Sequence, residues 1–527
     1  MISARSWPGA LLSIVTVLLA VVPASAVEVC RGDCNADGAV TIDELIRGTD
    51  ITLGAVGYST CSVFDADGDH SITVDELIAA ANFALDGCPS SLSPIWYPAV
   101  TYASIAPPNT RGYLDRRGLI HAHSYYSHDA CDNMPVKNGV RDPVCFEDFR
   151  RGLCQSRHDF VMLTDHSAAF SQYEYPDVLL YRPDHGDQLV ERGGRPVASW
   201  AGCPDGTRAL IMAGTETAFM PVGMEEHVDG DPTQRDSVYS SLTVDGIEAE
   251  RATGAVVLTS HTENWTLAQL RDWPVDGFEM YNIHANLLRT PQLAVQLLFR
   301  LAQNDRGLPH PDLVLLDLIS EDPRYLSMWG SVLASGVHRV TTVGTDCHRN
   351  TFPTLMGDGE RVDSYRRLMI WFSNHLLVRP DSDGSWDDRH LKEALLAGRL
   401  YAAFEVLGYP EGFDYHAEAG DRIVEMGGEV QFADHPLLRV APPQVRNLNP
   451  MRTAPTLTVR ILRAMDGGFT EVAAGPSSLS FTPTESGSYR AEVRMVPNHL
   501  REDLGSDADK LLAKDFVWIY ANAIYVR

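Results

Sequence analysis

The chain has 527 residues, 44% of them hydrophobic, and a formal net charge of −27 at pH 7. That length exceeds one ordinary domain and predicts about two to four, and the apolar fraction suffices for sizeable cores. The acidity excludes nucleic acid as a partner, because duplex and single-strand binders need basic surface; it suits solubility and calcium binding.

The first residues read as a secretory signal, 1–26. Arg5 supplies positive charge, Ala10 to Val22 is an apolar core, and Ala24-Ser25-Ala26 is a small-residue cleavage site. Val27 is then the first mature residue and the location is secreted or periplasmic. The apolar run falls short of the roughly 20 residues of a membrane span, and no later stretch reaches that length. Nine cysteines suit export. Cys30, Cys34, Cys61 and Cys88 lie in the first mature module, and Cys131, Cys145, Cys154 and Cys203 in later loops. These are expected to form disulfides whose connectivity the sequence does not give. Cys347 is left over and is expected to be a buried free thiol.

Asp33-x-Asn35-x-Asp37-Gly38-x-Val40-Thr41-x-x-Glu44 places oxygens at positions 1, 3, 5, 9 and 12 of a loop with glycine at the sixth. That is the calcium loop of an EF-hand. Asp65-x-Asp67-x-Asp69-His70-x-Ile72-Thr73-x-x-Glu76 repeats it, with His70 in place of the turn glycine, which predicts a weaker second site. Each loop runs into a helical stretch, Leu45-Ile46 and then Leu77-Ile78 with Phe83 and Leu85. Too few mature residues precede Asp33 for an entering helix. This duplicated loop–helix unit, 27–88, resembles the dockerin modules of secreted bacterial proteins. The resemblance implies bound calcium and a possible protein partner; structural calcium is the plainer reading. Pro89, Pro94, Pro98, Pro107 and Pro108 make 89–112 an extended linker.

From Gly112 onward, apolar runs recur at 119–120, 160–163, 210–213, 255–258, 278–281, 313–316 and 340–343, with helical patterns such as Leu267 to Trp273 and Gln292 to Ala302 between them. Alternating β and α predicts a parallel sheet or barrel. The 313–316 run could instead begin a helix through Ile319. Five runs end in metal-ligand residues: His121-x-His123, Thr164-Asp165-His166, Thr215-Glu216, Ser260-His261 and Asp346-Cys347-His348. If Leu119-Ile120 is a strand, His121 and His123 share a face. From about Asp421, alternation at 457–462, 488–495 and 523–526 between Gly-, Pro- and Ser-rich turns predicts a small β-sandwich without chemistry of its own.

As an ordered set these motifs resemble the PHP (polymerase and histidinol phosphatase) metallohydrolase superfamily, over about residues 113–405. More loosely, Ala397-Gly398-Arg399 and the Trp518 to Val526 pattern resemble its carbaryl-hydrolase-like branch. The resemblance implies an α/β fold, a distorted seven-stranded (β/α) barrel over 113–420, preceded by the all-α EF-hand pair and followed by the β-sandwich of 421–527. It implies two or three divalent ions. One would take His121, His123, Glu216 and Asp346. A second would take His166, His261, a bridging oxygen of Glu216, and His128 or Asp129, with His128 preferred. His348 would sit on a third ion or behind the ligands. These ligands, apart from His128, are also the expected catalytic residues. Nitrogen and carboxylate donors together suit Zn, Mn or Fe, and water on such ions falls in pKa from 15.7 toward about 7 and becomes the nucleophile.

Asp165 is expected to orient a ligand or close a turn. Glu279, Asn282 and His284 read equally as a polar strand end or as ligands. His158, His185, His227 and His338 read as surface or loop histidines, and Arg349 as a solvated arginine that could clamp phosphate. The expected activity is a secreted metal-dependent phosphoesterase. The alternative is a carbamate or carboxylic ester hydrolase, toward which Tyr125, Tyr126, Phe170, Tyr173, Tyr175 and Trp265 lean by making the pocket apolar. A second alternative is a non-catalytic calcium-dependent binding protein.

Overall fold

The computed structural model describes residues 31–34, 40–65, 70–86, 107–137, 139–204, 206–283, 285–286, 291–303, 305, 307–356 and 358–527. The expected signal segment, Cys30, Cys88 and most of the linker lie outside the described residues. The strands that position the site are, in chain order, β1 (Leu114–Ile120), the short hairpin β2 (Val136–Lys137) and β3 (Val140–Arg141), β4 (Phe160–Met162), β5 (Asp165–His166), the hairpin β6 (Gln188–Arg192) and β7 (Arg195–Gly202), β8 (Arg208–Glu216), β9 (Met220–Met224), β10 (Val256–Thr259), β11 (Gly277–Asn282), β12 (Val340–Gly344), β13 (Ser373–Val378) and β14 (Leu400–Ala403).

Apart from β2 and β3, which pair only with each other, they form a large mixed sheet with helices against it. β1, β4 and β8 run parallel, and so do β10, β11 and β12. Antiparallel β9 joins the two trios, pairing with β8 on one side and β10 on the other. The continuous apolar runs Phe160 to Leu163 and Val256 to Leu258 are buried throughout, as expected for parallel strands covered on both faces. At the far ends, the Asp346 amide donates to the His121 carbonyl at 3.2 Å and the His123 amide to the Cys347 carbonyl at 3.2 Å. These bonds tie the exits of β1 and β12 together.

Beyond β11, two buried asparagines complete the backbone pairing of β12. Asn522 accepts from the Thr341 amide and donates to its carbonyl, both at 2.9 Å. Asn374 does the same at Val343, at 3.0 and 2.8 Å. Each side-chain amide stands in for a neighbouring strand, so the Thr341 and Val343 amides and carbonyls are paired.

Six of the seven expected strands form. The 313–316 run does not: it lies across two 3-10 turns, Pro311–Leu313 and Leu316–Leu318. Pro311 at the first turn favours the helical start, and the buried leucines serve the core from that turn. β9 was not expected, because Pro221 and Gly223 sit inside it and break a strand pattern.

The C-terminal region is not a separate layer. Its strand Phe516–Ala521 pairs antiparallel with β14, and Thr456–Met465, Gly468–Gly475 and Gly487–Val496 continue the same sheet. A second sheet of four strands, Arg422–Glu425, Asp414–Ala419, Leu437–Ala441 and Leu479–Phe481, is antiparallel throughout. The expected boundary at 421 therefore falls in the hairpin between Asp414–Ala419 and Arg422–Glu425. One hydrophobic core spans both regions, from Phe278 and Val343 to Trp518 and Val526.

Among the described residues, three disulfides join Cys34 to Cys61, Cys131 to Cys145 and Cys154 to Cys203, and Cys347 is a buried free thiol. No described helix is long and apolar enough to cross a membrane.

Candidate metal centre

The expected ligands, apart from His128, cluster at strand ends: His166 and Glu216 close β5 and β8, and the others follow β1, β10 and β12 where the chain leaves the sheet. His121 follows β1 with φ +85°, His261 follows β10 with φ +47°, and Asp346 follows β12 with φ +52°. Left-handed backbone at three non-glycine residues costs energy and is retained where surrounding structure enforces it. Its effect is to turn side chains from different strands toward one point. Gly344 lies behind them: a Cβ there would overlap the Glu279 carboxylate and crowd His121.

Two groups of ligand-type atoms result. In the first, His121 Nε2 lies 3.1 Å from both Glu216 Oε2 and Asp346 Oδ1, and His123 Nε2 lies 3.2 Å from the same two oxygens. His261 Nε2 reaches the other oxygens of that pair, 3.2 Å from Glu216 Oε1 and 3.4 Å from Asp346 Oδ2. In the second, Asp129 Oδ2 lies 3.1 Å from His166 Nε2 and 3.1 Å from His348 Nε2. His123 borders both groups, its ring stacked on His348 with centroids 3.9 Å apart.

The five histidines share one arrangement. The Nδ1 atoms of His166 and His348 face the carbonyls of Glu216 and Asp346, each at 2.7 Å. A carbonyl only accepts, so both Nδ1 atoms carry the proton and both Nε2 atoms are free to act as donors to a metal. His121 Nδ1 faces Glu279 Oε1 at 2.8 Å, His123 Nδ1 faces Ser127 Oγ at 3.0 Å, and His261 Nδ1 faces Glu263 Oε1 at 3.1 Å. Such oxygen partners fix ring orientation in metal sites. With Nδ1 protonated, each neutral Nε2 would point a lone pair at carboxylate oxygens. A cation between them resolves that conflict, and buried His123 Nε2, which makes no hydrogen bond, marks where one fits.

The electrostatics agree. Burial works against charge on His121, yet Glu216, Asp346 and Glu279 raise its pKa well above the imidazole range. Burial also opposes the shifts of His166, raised to about 9 by Asp129 and Glu216, and of His261, raised to about 11 by Glu216, Glu263 and Asp346. Burial alone would raise Glu216, but the histidines, His121 first, hold it well below the usual carboxylate range. The same carboxylates could hold a divalent cation in place of those protons.

Several expectations change. Asp129, rather than the preferred His128, faces His166 and His348; the His128 ring only packs beside His166, centroids 5.0 Å apart. His261, expected on the second ion, lies with the first group, and His348, expected on a third ion or behind the ligands, lies with the second. Asp165 accepts from the Ser124 amide at 2.6 Å and hydroxyl at 2.7 Å and so closes a turn. Asn282 donates to Glu279 at 3.0 Å, while His284 lies outside the described residues. Arg349 is not solvated: it pairs with Asp148 at 2.9 Å. His158 is buried against Ser156 and Ser373, and His227 against Tyr239 and Tyr173; neither is a surface histidine. Glu263 was missed, since a lone glutamate two residues after a histidine carries no signal.

In the N-terminal pair of loops and helices, Thr41 caps the helix Ile42–Thr52 and its hydroxyl donates to Glu44 at 2.9 Å. Thr73 and Glu76 repeat that contact at 2.9 Å before the helix Val74–Asp86. His70 has φ +65°, the conformation that glycine would supply at that turn. Asp33 and Asp65 are described; Asn35, Asp37, Asp67 and Asp69 lie outside the described residues.

Together these features define a mixed α/β protein with buried clusters of histidine and carboxylate able to hold metal ions. Compared with protein-family models, with curated proteins and with solved structures, the chain matches none.

Proposed function

We propose that the chain is a metal-dependent hydrolase that cleaves a phosphoester, with a phosphodiester as the favoured class. The observation that carries this reading is the set of five histidines held through Nδ1, with Nε2 turned toward Glu216, Asp346 and Asp129. His121, His123, His261, Glu216 and Asp346 would hold one ion and His166, His348 and Asp129 a second. Zn, Mn or Fe suits such donors, and ions of this kind make water nucleophilic at neutral pH and polarise a scissile ester. The parallel trios and the order of the motifs fit the distorted barrel of the PHP superfamily, and the loop pattern fits a dockerin-like calcium module on an exported protein.

The charges around the site rank the substrates. A dianionic phosphomonoester calls for two or more nearby cations. Arg349 is paired with Asp148, and Arg361 with Asp132 and Asp363. Among the described residues near the histidines, that leaves Arg141, stacked among tyrosines. One cation suits a singly charged phosphodiester. The aromatic wall of Tyr126 and Tyr173 favours a second reading, a carbamate or carboxylic ester.

The test is elemental analysis of protein purified without chelators, followed by bis(4-nitrophenyl) phosphate, 4-nitrophenyl phosphate and 1-naphthyl methylcarbamate assayed in parallel. Two or three equivalents of Zn, Mn or Fe and turnover of the diester are expected. A folded chain that takes up no transition metal sinks the reading and leaves a calcium-dependent binding protein. Turnover of the carbamate alone moves the second reading to first place.

A further inference from the structure

A cavity of about 380 Å³ is lined in part by His128, whose ring packs beside His166 of the second histidine group, and its volume is within the usual size of small-molecule sites. Its walls are the β2–β3 hairpin on one side and the segment Ala168–Tyr173 on the other, with His128 at the end next to His166. The Cys131–Cys145 disulfide closes the loop that carries the hairpin.

Although the chain is strongly acidic, no carboxylate lines this cavity, and Arg141 does. Its guanidinium lies over the rings of Tyr173 and Tyr126, 3.9 and 4.2 Å from their centroids. Nη1 donates to the Tyr125 carbonyl, and the buried Nε makes no hydrogen bond. No described carboxylate forms an ion pair with Arg141. Tyrosine faces stabilise the cation and fix its plane, and an arginine so held presents its N–H edge for a planar acceptor.

We propose that this cavity binds a carboxylate on an aromatic or apolar stem, through Arg141, as the part of the substrate that sets specificity. Calling the occupant a substrate rests on the hydrolase reading; the binding itself does not. The carboxylate meets the guanidinium edge, and its stem packs on Tyr173, Tyr126, Met134 and Val136.

The test is calorimetry on the full chain, as purified with its metals, with 1-naphthoate and its neutral isostere 1-naphthamide as probes. Naphthoate should bind about tenfold more tightly, the value of one charge-assisted contact. Arg141→Gln should erase that preference. Val136, 46% exposed, pairs directly across the hairpin from Arg141. Val136→Glu should therefore erase the same preference by occupying the guanidinium, at a position whose exposure spares the fold. The proposal is overturned if naphthoate keeps its advantage in both variants, or if wild type binds the two probes equally. Because binding is read without turnover, an inactive chain that still prefers naphthoate through Arg141 would sink the hydrolase and leave the pocket standing.

Discussion

Two buried clusters gather ligand-type side chains and neutralise them differently. Around Glu216 and Asp346 the partners are imidazoles, and among the described residues no lysine or arginine pairs with Glu216 or Asp129. Around Asp312, Asp358 and Glu360, whose oxygens also lie close enough to share an ion, the partners are guanidinium groups. Arg366 meets Asp312 at 2.6 Å and Glu360 at 2.5 Å; Arg367 meets Asp312 at 2.5 Å and Asp358 at 2.7 Å. An arginine is always charged and brings its own hydrogen bonds, so the second cluster is complete without metal. A histidine can give up its proton and offer the same nitrogen to a metal, so the first cluster can exchange its protons for a cation. Proximity of carboxylates is therefore a poor guide to a metal site; the identity of the countercharge decides.

The largest expected effects test that distinction at its root. His121→Ala and Asp346→Ala each remove a donor from the first cluster. Both should reduce bound transition metal, read by elemental analysis, and bring hydrolysis to the uncatalysed background while near-native circular dichroism is kept. A fully active double variant would break the comparison. The matching change in the second cluster is Arg367→Met, which leaves buried carboxylates short of a partner. It should cost about 3–5 kcal/mol in chemical unfolding and leave the metal content of the folded chain unchanged. Metal loss there would mean that the two clusters are not separate in kind.

Glu250 sharpens the comparison by having neither kind of partner. Its two carboxylate oxygens are buried without hydrogen bonds, and burial raises its pKa to about 8. It solves the charge problem by keeping its proton. The folded pKa lies above the unfolded one, so the folded state binds more protons between about pH 4.5 and 8. Stability due to this group is full below that window and is lost as pH rises through it, by at most about 1.4 kcal/mol per pH unit. Glu250→Gln should flatten that slope, so that the variant gains on wild type from pH 5 to pH 8 in paired unfolding curves. Parallel curves would mean that Glu250 is ionised in the fold.

The ligand residues were legible in the sequence because each closes an apolar run and belongs to a residue type rarely left there by chance. Their grouping was not. Period-two reasoning holds inside a strand, but His121 already lies past β1 in left-handed backbone, and at Ser127 the chain turns so that Asp129 rather than His128 faces inward, held by the Ser127 hydroxyl at 2.8 Å. β13 was illegible because it opens with Ser373-Asn374-His375, polar residues whose burial depends on distant partners such as Val343 and Asp115. The tail looked free of chemistry for the same reason. Asn522, in its terminal motif, pairs with the backbone of the strand that carries Asp346, a contact no local pattern announces.

The smallest expected effect separates holding an ion from orienting its ligand. Glu279 is fully buried, and His121 Nδ1 lies 2.8 Å from it. It also accepts from the His261 amide at 3.3 Å and from Asn282 at 3.0 Å. One carboxylate thus ties two metal-facing histidines to β11. Glu279→Gln keeps the shape but removes the charge. It should weaken metal affinity by about 10–100-fold, measured by competition with a chelator, while a protein saturated with metal keeps most of its turnover. If metal affinity instead falls as far as in His121→Ala, Glu279 is itself a ligand, and the first cluster holds three carboxylates rather than two. If affinity does not change, the Nδ1 contact is incidental, and the argument that fixed tautomers distinguish this cluster from the arginine-filled one loses its support at His121.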